Sequence, residues 1–140
     1  MNDDALVSAT SEALTWNKEL FVEIDFMDET HEAFIDLINT MITTSDKQQF
    51  INQYEQLIDH TKQHFQREEE KMLETGFPAT GEHQADHRRV LNELAGFQRS
   101  LQRGRIQLVR TFVKERLPEW FTLHLATMDA ALAAHIKSVG

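Results

Sequence analysis

Apolar residues along this chain recur in steps of three and four, the spacing of one buried helical face. The first such stripe is Met27, His31, Phe34, Ile35, Ile38, Met41 and Ile42. It predicts a helix starting at Asp25 as N-cap, with Asp28 and Glu29 in its first turn favoured by the helix dipole. Thr43, Thr44 and Ser45 break it. Ser45 followed by Gln48 predicts a capping box for a second helix, about 46 to 75. Its stripe is Phe50, Tyr54, Leu57, Ile58, Thr61, His64, Phe65, Glu68 and Met72. Gly76 and Pro78 read as a helix stop and a sharp turn. A third helix, from near Thr80 to about Arg103, carries His83, His87, Val90, Leu91, Leu94, Phe97 and Leu101, and Gly104 closes it.

The fourth stripe lies within about 105 to 137: Leu108, Val109, Phe112, Val113, Trp120, Phe121, His124, Leu125, Met128 and Leu132. Pro118 interrupts it. A mid-helix proline lacks a hydrogen-bond donor and clashes with the preceding turn, so a kink or a fresh helix start is expected there. No strand-like alternation or repeat is present. Four amphipathic helices with short connections predict an all-α, up-down-up-down four-helix bundle. The expected organisation is one domain spanning 1–140, with an N-terminal arm over 1–23 and the bundle over 24–137. Trp16 is expected to dock the arm on the body.

Composition narrows the partners. With 23 acidic against 14 basic residues, the formal charge is −9. Such a surface repels nucleic acid and anionic membranes, so neither is an expected partner. No run of residues approaches the ~20 apolar positions of a membrane span. The acidic start, MNDDALVSAT, does not read as a secretory signal, and a cytoplasmic location is expected. Absence of cysteine excludes disulfides, thiolate catalysis and cysteine-type zinc sites.

The chemistry lies in the stripes. His64-x-x-x-Glu68 and His83-x-x-x-His87 each place two metal-donor side chains on one helix face. Five of the seven histidines fall in apolar seams: His31, His64, His83, His87 and His124. Glu68 and Asp129 accompany them. A buried, unpaired carboxylate costs several kcal/mol, and a buried imidazole needs partners. Metal ions answer both needs. Imidazole and carboxylate without thiolate suit iron, zinc, manganese or copper. Seven donors are too many for one ion and suit two. If both carboxylates bridge, the histidines divide three and two, which leaves one ion an open position for a small molecule such as dioxygen. His124 and Asp129 are five apart, about 140° around an ideal helix, so either a π-type bulge between them or Asp129 reaching round from the side is expected. His60 and His135 are expected to be peripheral, and Glu69 and Glu70 solvated. The Glu-x-x-His pairs of ferritin-type bundles and the His-Glu-x-x-His of zinc proteases are both absent.

These residues, in this order, resemble the hemerythrins. The resemblance runs from Trp16 through Ile24-Asp25, Asp28-Glu29-Thr30-His31 and Leu37-Ile38-Asn39. It continues through His64-Phe65-x-x-Glu68-Glu69, Met72, Gly76-Phe77-Pro78, His83-x-x-x-His87 and Trp120-x-x-x-His124-x-x-x-x-Asp129. It implies two non-haem iron ions. His83, His87 and His124 would hold the coordinatively full one, and His31 and His64 the one that receives dioxygen. Glu68, Asp129 and a solvent-derived oxo or hydroxo group would bridge them. The implied function is reversible dioxygen binding for storage, delivery or buffering, not enzymatic catalysis. The alternatives are an oxygen or redox sensor, or a di-iron enzyme handling peroxide or nitric oxide. Phe34, Phe65, Trp120, Phe121 and Leu125 flank the ligands and are candidates for an apolar oxygen pocket.

Overall fold

The computed structural model describes Thr15 and residues 18–140. Trp16, and with it the expected docking of the arm, lies outside the described residues. After a short 3-10 turn, Lys18–Leu20, come α1 (Asp25–Thr43), α2 (Lys47–Thr75) and α3 (Thr80–Gln102). The fourth rod has three α-helical parts, α4 (Ile106–Thr111), α5 (Leu117–His124) and α6 (Ala130–Val139). Two π turns, Phe112–Arg116 and Leu125–Asp129, join them. The described residues form a four-helix bundle without strands.

The stripes close the core. All nine positions expected to face inward on α2, from Phe50 to Met72, are buried. On α1, Ile42 is only half-buried and Thr30 takes a buried place instead. Leu91 and Phe97 on α3, with Trp120 and Met128 on the fourth rod, are half-buried. Leu108 is a correction. It is 48% exposed, because it stands about 100° from Val109, the buried centre of α4.

The caps differ in detail from expectation. Ile24, not Asp25, is the N-cap of α1, and it makes no side-chain bond. The entry is instead tied by Asp28, which accepts from the backbone N–H groups of Val22 and Glu23 at 2.8 and 3.0 Å. Ser45 does not cap α2. Asp46 does, its carboxylate accepting from Gln49 N at 2.9 Å. Asp46→Ala is therefore expected to cost about 1 kcal/mol of stability, read by urea unfolding. At the other end of α2, Gly76 adopts φ +67°, and Phe77 N donates to Met72 O at 2.9 Å. This closure turns the chain tightly enough to set α3 against α2.

Pro118 does not break the rod. Leu117 N–H reaches back five residues to Phe112 O, and α5 begins there with proline in its first turn. The hydrogen-bond ladder shifts register just where proline cannot donate. Backbone angles stay right-handed helical at both ends of the π turn: −64°, −42° at Thr111 and −65°, −44° at Leu117.

Candidate metal centre

Four rods deliver the seven donor residues to one place. His31 comes from α1, His64 and Glu68 from α2, His83 and His87 from α3, and His124 and Asp129 from the fourth rod. The i, i+4 pairs share a face by ordinary helix geometry. His124 and Asp129 are five apart and meet because the turn Leu125–Asp129 is π-helical. An i→i+5 turn carries the fifth residue back towards the starting face. His124 Nε2 and Asp129 Oδ1 are then 3.1 Å apart.

The donors form two overlapping groups, each with its ligand atoms within 4.8 Å of one another. One contains Glu68, His83, His87, His124 and Asp129, and the other His31, His64, Glu68 and Asp129. Both carboxylates belong to both groups. All seven residues are buried, and Glu68 and Asp129 have no exposure at all. Every imidazole presents Nε2 to the centre. His64 Nε2 is 2.6 Å from Glu68 Oε2, and His83 Nε2 is 3.1 Å from Asp129 Oδ1.

Several of these atoms lie close without bonding. His31 Nε2 sits 3.1 Å from Asp129 Oδ2, and His87 Nε2 sits 3.2 Å from Glu68 Oε1. None of the four has a hydrogen-bond partner. They face a shared interior point rather than one another. His83 Nε2 and His124 Nε2 also approach to 3.2 Å. Buried lone pairs that converge in this way are costly unless something positive lies among them. The donor set therefore fits a bound cation.

Two carboxylates outside this cage orient it, and neither was expected to. His87 Nδ1 donates to Glu69 Oε2 at 2.8 Å, and His124 Nδ1 donates to Asp86 Oδ2 at 2.7 Å. Each bond fixes the proton on Nδ1 and leaves the Nε2 lone pair facing inward. Glu69 is thus not simply solvated, which corrects the reading of the acidic run; Glu70 is exposed as expected. Asp86 also accepts from Trp120 Nε1 at 3.0 Å and from Arg89. The signal for both is adjacency: each stands one residue from a cage donor, Glu68 or His87.

Three of the five aromatic and aliphatic candidates pack against cage imidazoles. The Phe65 ring stacks on His87 at 3.7 Å, and the Trp120 ring stacks on His124 at 4.8 Å. Phe121 meets His31 edge-on at 5.5 Å and stacks with Phe34 at 4.8 Å. Leu125 is buried beside His124 in sequence. His60 and His135 bond outside the cage, donating to the carbonyls of Thr30 and Thr75 at 3.3 and 2.9 Å.

Without a cation, protons take its place. Burial disfavours the charged imidazoles of His31 and His83, but the carboxylates of Asp129 and Glu68 beside them outweigh it and raise both pKa values from 6.5 to about 9. Burial and the Glu68 charge push the Asp129 carboxyl up, yet the imidazoles of His124, His31 and His83 beside it hold it below its usual range. Glu68 is likewise lowered, its surrounding histidines overcoming burial. The histidine contribution is complete below pH 6.5 and disappears as pH rises through about 9. The carboxylate contribution is complete above the ordinary values of 4.5 and 3.8 and fades as pH falls. Metal-free protein should therefore lose thermal stability between pH 6.5 and 9. Metal-loaded protein, its imidazoles held neutral by the cation, should not. Melting curves of both forms across that range check this, and parallel curves would contradict it.

Residues 22–137 match the hemerythrin HHE cation binding domain. The chain belongs to the hemerythrin family. Among hemerythrin relatives, it is 30% identical to a bacteriohemerythrin of Ralstonia nicotianae over 127 residues, covering 91% of each chain. It is 27% identical to a bacteriohemerythrin of Stenotrophomonas maltophilia, over 89% of this chain and 82% of that one. A crystal structure of wild-type hemerythrin superposes with a TM-score of 0.78 at 21% identity, covering 88% of this chain and 97% of the other. The buried histidine and carboxylate cage thus lies in a hemerythrin cation-binding domain. Among the described residues, no helix is long and apolar enough to cross a membrane.

Proposed function

We propose that the cage holds two iron ions and that the protein binds dioxygen reversibly, as a non-enzymatic store, carrier or buffer in the cytoplasm. One observation carries this reading: Glu68 and Asp129 are common to both donor groups. A carboxylate has two oxygens, and in helix-bundle cores such groups bridge neighbouring ions. His83, His87 and His124 would hold one ion, and His31 and His64 the other. The His31 and His64 side offers fewer protein donors, which would leave room there for dioxygen. Ferrous iron, when bound, would supply the electrons that dioxygen binding draws on.

The chain's own residues make the exchange reversible. Glu69 and Asp86 hold two imidazoles in the donor tautomer. Phe34, Phe65, Trp120, Phe121 and Leu125 exclude water and stray protons, which suppresses side reactions. No nucleic acid, membrane or organic substrate is part of this reading.

The test is optical. Protein loaded anaerobically with ferrous iron is exposed to air, then returned to vacuum. Colour that forms and disappears over repeated cycles is the expected result. Rapid irreversible oxidation would favour catalysis over carriage, and material holding one ion per chain would overturn the two-ion reading.

A further inference from the structure

The two donor groups differ in what stands behind their histidines. In the three-histidine group, His87 and His124 each donate Nδ1–H to a carboxylate, Glu69 and Asp86, while His83 Nδ1, like His31 Nδ1, is buried without a partner. In the two-histidine group this support is missing. His31 Nδ1 is buried without a partner, and His64 meets a carboxylate only through Nε2, at Glu68. A carboxylate bonded to Nδ1–H moves electron density towards Nε2 and makes that nitrogen a stronger donor. It also adds negative charge near the ion at a place where little water screens it: the Asp86 side chain is 12% exposed and that of Glu69 31%.

Neither outer carboxylate hangs free. Asp86 is held by Trp120 Nε1 at 3.0 Å and by Arg89, and Glu69 is reached by Gln84 Nε2 at 3.5 Å. Asp86 and His87 are neighbours on α3, as Glu68 and Glu69 are on α2. Each outer carboxylate thus moves with a helix that also carries a cage donor, and it reaches across to an imidazole on a different helix. His87 and His124 are oriented before any ion arrives. A site with oriented donors binds more tightly than one that must organise on binding.

We propose that Glu69 and Asp86 are positioning residues that make the metal centre load in order. The His83, His87 and His124 position fills first and more tightly, and the His31 and His64 position fills second. This rests on the two-ion reading of the cage.

The test is a titration of metal-free protein with cobalt(II) under anaerobic conditions, followed by calorimetry and by the visible cobalt absorption. Two separate steps are expected in the unaltered chain. His31→Ala should remove the second step and leave the first. Glu69→Gln and Asp86→Asn keep an acceptor for the imidazole N–H but remove its charge. Each should weaken the first step about 10–100-fold and alter its absorption, with the second step little changed. Metal-free melting curves show whether the variants remain folded. Two ions binding with equal affinity would overturn the inference. So would an unchanged first step in both charge variants, or His31→Ala removing the tighter step. If the unaltered chain takes up fewer than two ions, the two-ion reading itself fails and takes the loading order with it.

Discussion

With the two-iron loading proposed above, Glu68→Gln is expected to reduce iron content to below one ion per chain, and to abolish the rise in melting temperature on metal loading. Glu68 is fully buried, and four imidazoles surround it: His64 at 2.6 Å, His87 at 3.2 Å, His83 at 3.4 Å and His31 at 3.7 Å. Glutamine keeps the shape and removes the charge. A neutral amide is a poor bridge between two cations, and both donor groups lose a shared anion. Metal that binds only the folded chain stabilises it by ~4 kcal/mol at 1,000 times its dissociation constant. For a domain of this size that is on the order of 10 °C in melting temperature. His124→Ala should lower metal content as well, and it should act mainly on its own ion. Metal analysis and melting curves with and without ferrous iron check both variants. Two retained ions in the Glu68 variant, with the metal-dependent rise intact, would refute the assignment of Glu68 as a shared ligand.

Most of what positions this cage was legible in the chain because two constraints coincide there. A helix buried on one side repeats its inward face every 3.6 residues, and the donors occupy that face. Met72, Phe65 and Leu57 mark the stripe of α2, and Glu68 and His64 fall on it. The one donor pair out of period, His124 and Asp129, was informative for that reason. Chemistry required convergence, and the backbone supplies it through a π turn. Periodicity failed where burial is partial. Leu108 is apolar and lies next to the inward line without being on it. Ser45 stands one position from Asp46, an equally good cap, and capping chemistry alone does not choose between them; at α1 Ile24 is the N-cap without a side-chain bond, because the Asp28 carboxylate ties the incoming backbone instead of Asp25 capping the helix. Asp86 and Glu69 were missed because half-buried acids on helix flanks look like solvated ones. Their role shows only when the second nitrogen of each cage imidazole is followed to its partner.

Phe121→Ala should leave two irons bound, cost the metal-free fold about 3–5 kcal/mol, and speed oxidation of the oxygenated protein. The ring is 1% exposed and contacts both Phe34 and the imidazole of His31. It donates nothing to a metal, so its loss leaves the donor set whole. What it removes is apolar volume beside His31. A cavity there would admit the water and protons that the proposed reversible binding requires to be kept out. Leu125→Ala tests the same wall from the fourth rod, where Leu125 is 4% exposed and begins the π turn. Its expected stability loss is about 2–5 kcal/mol. The two readouts separate packing from protection. Urea unfolding of metal-free protein reports the cavity alone, while the decay of the oxygenated absorption at fixed pH reports access to the ions. If both variants lose stability but oxidise no faster than the unaltered chain, Phe121 and Leu125 belong to the core and not to the oxygen pocket.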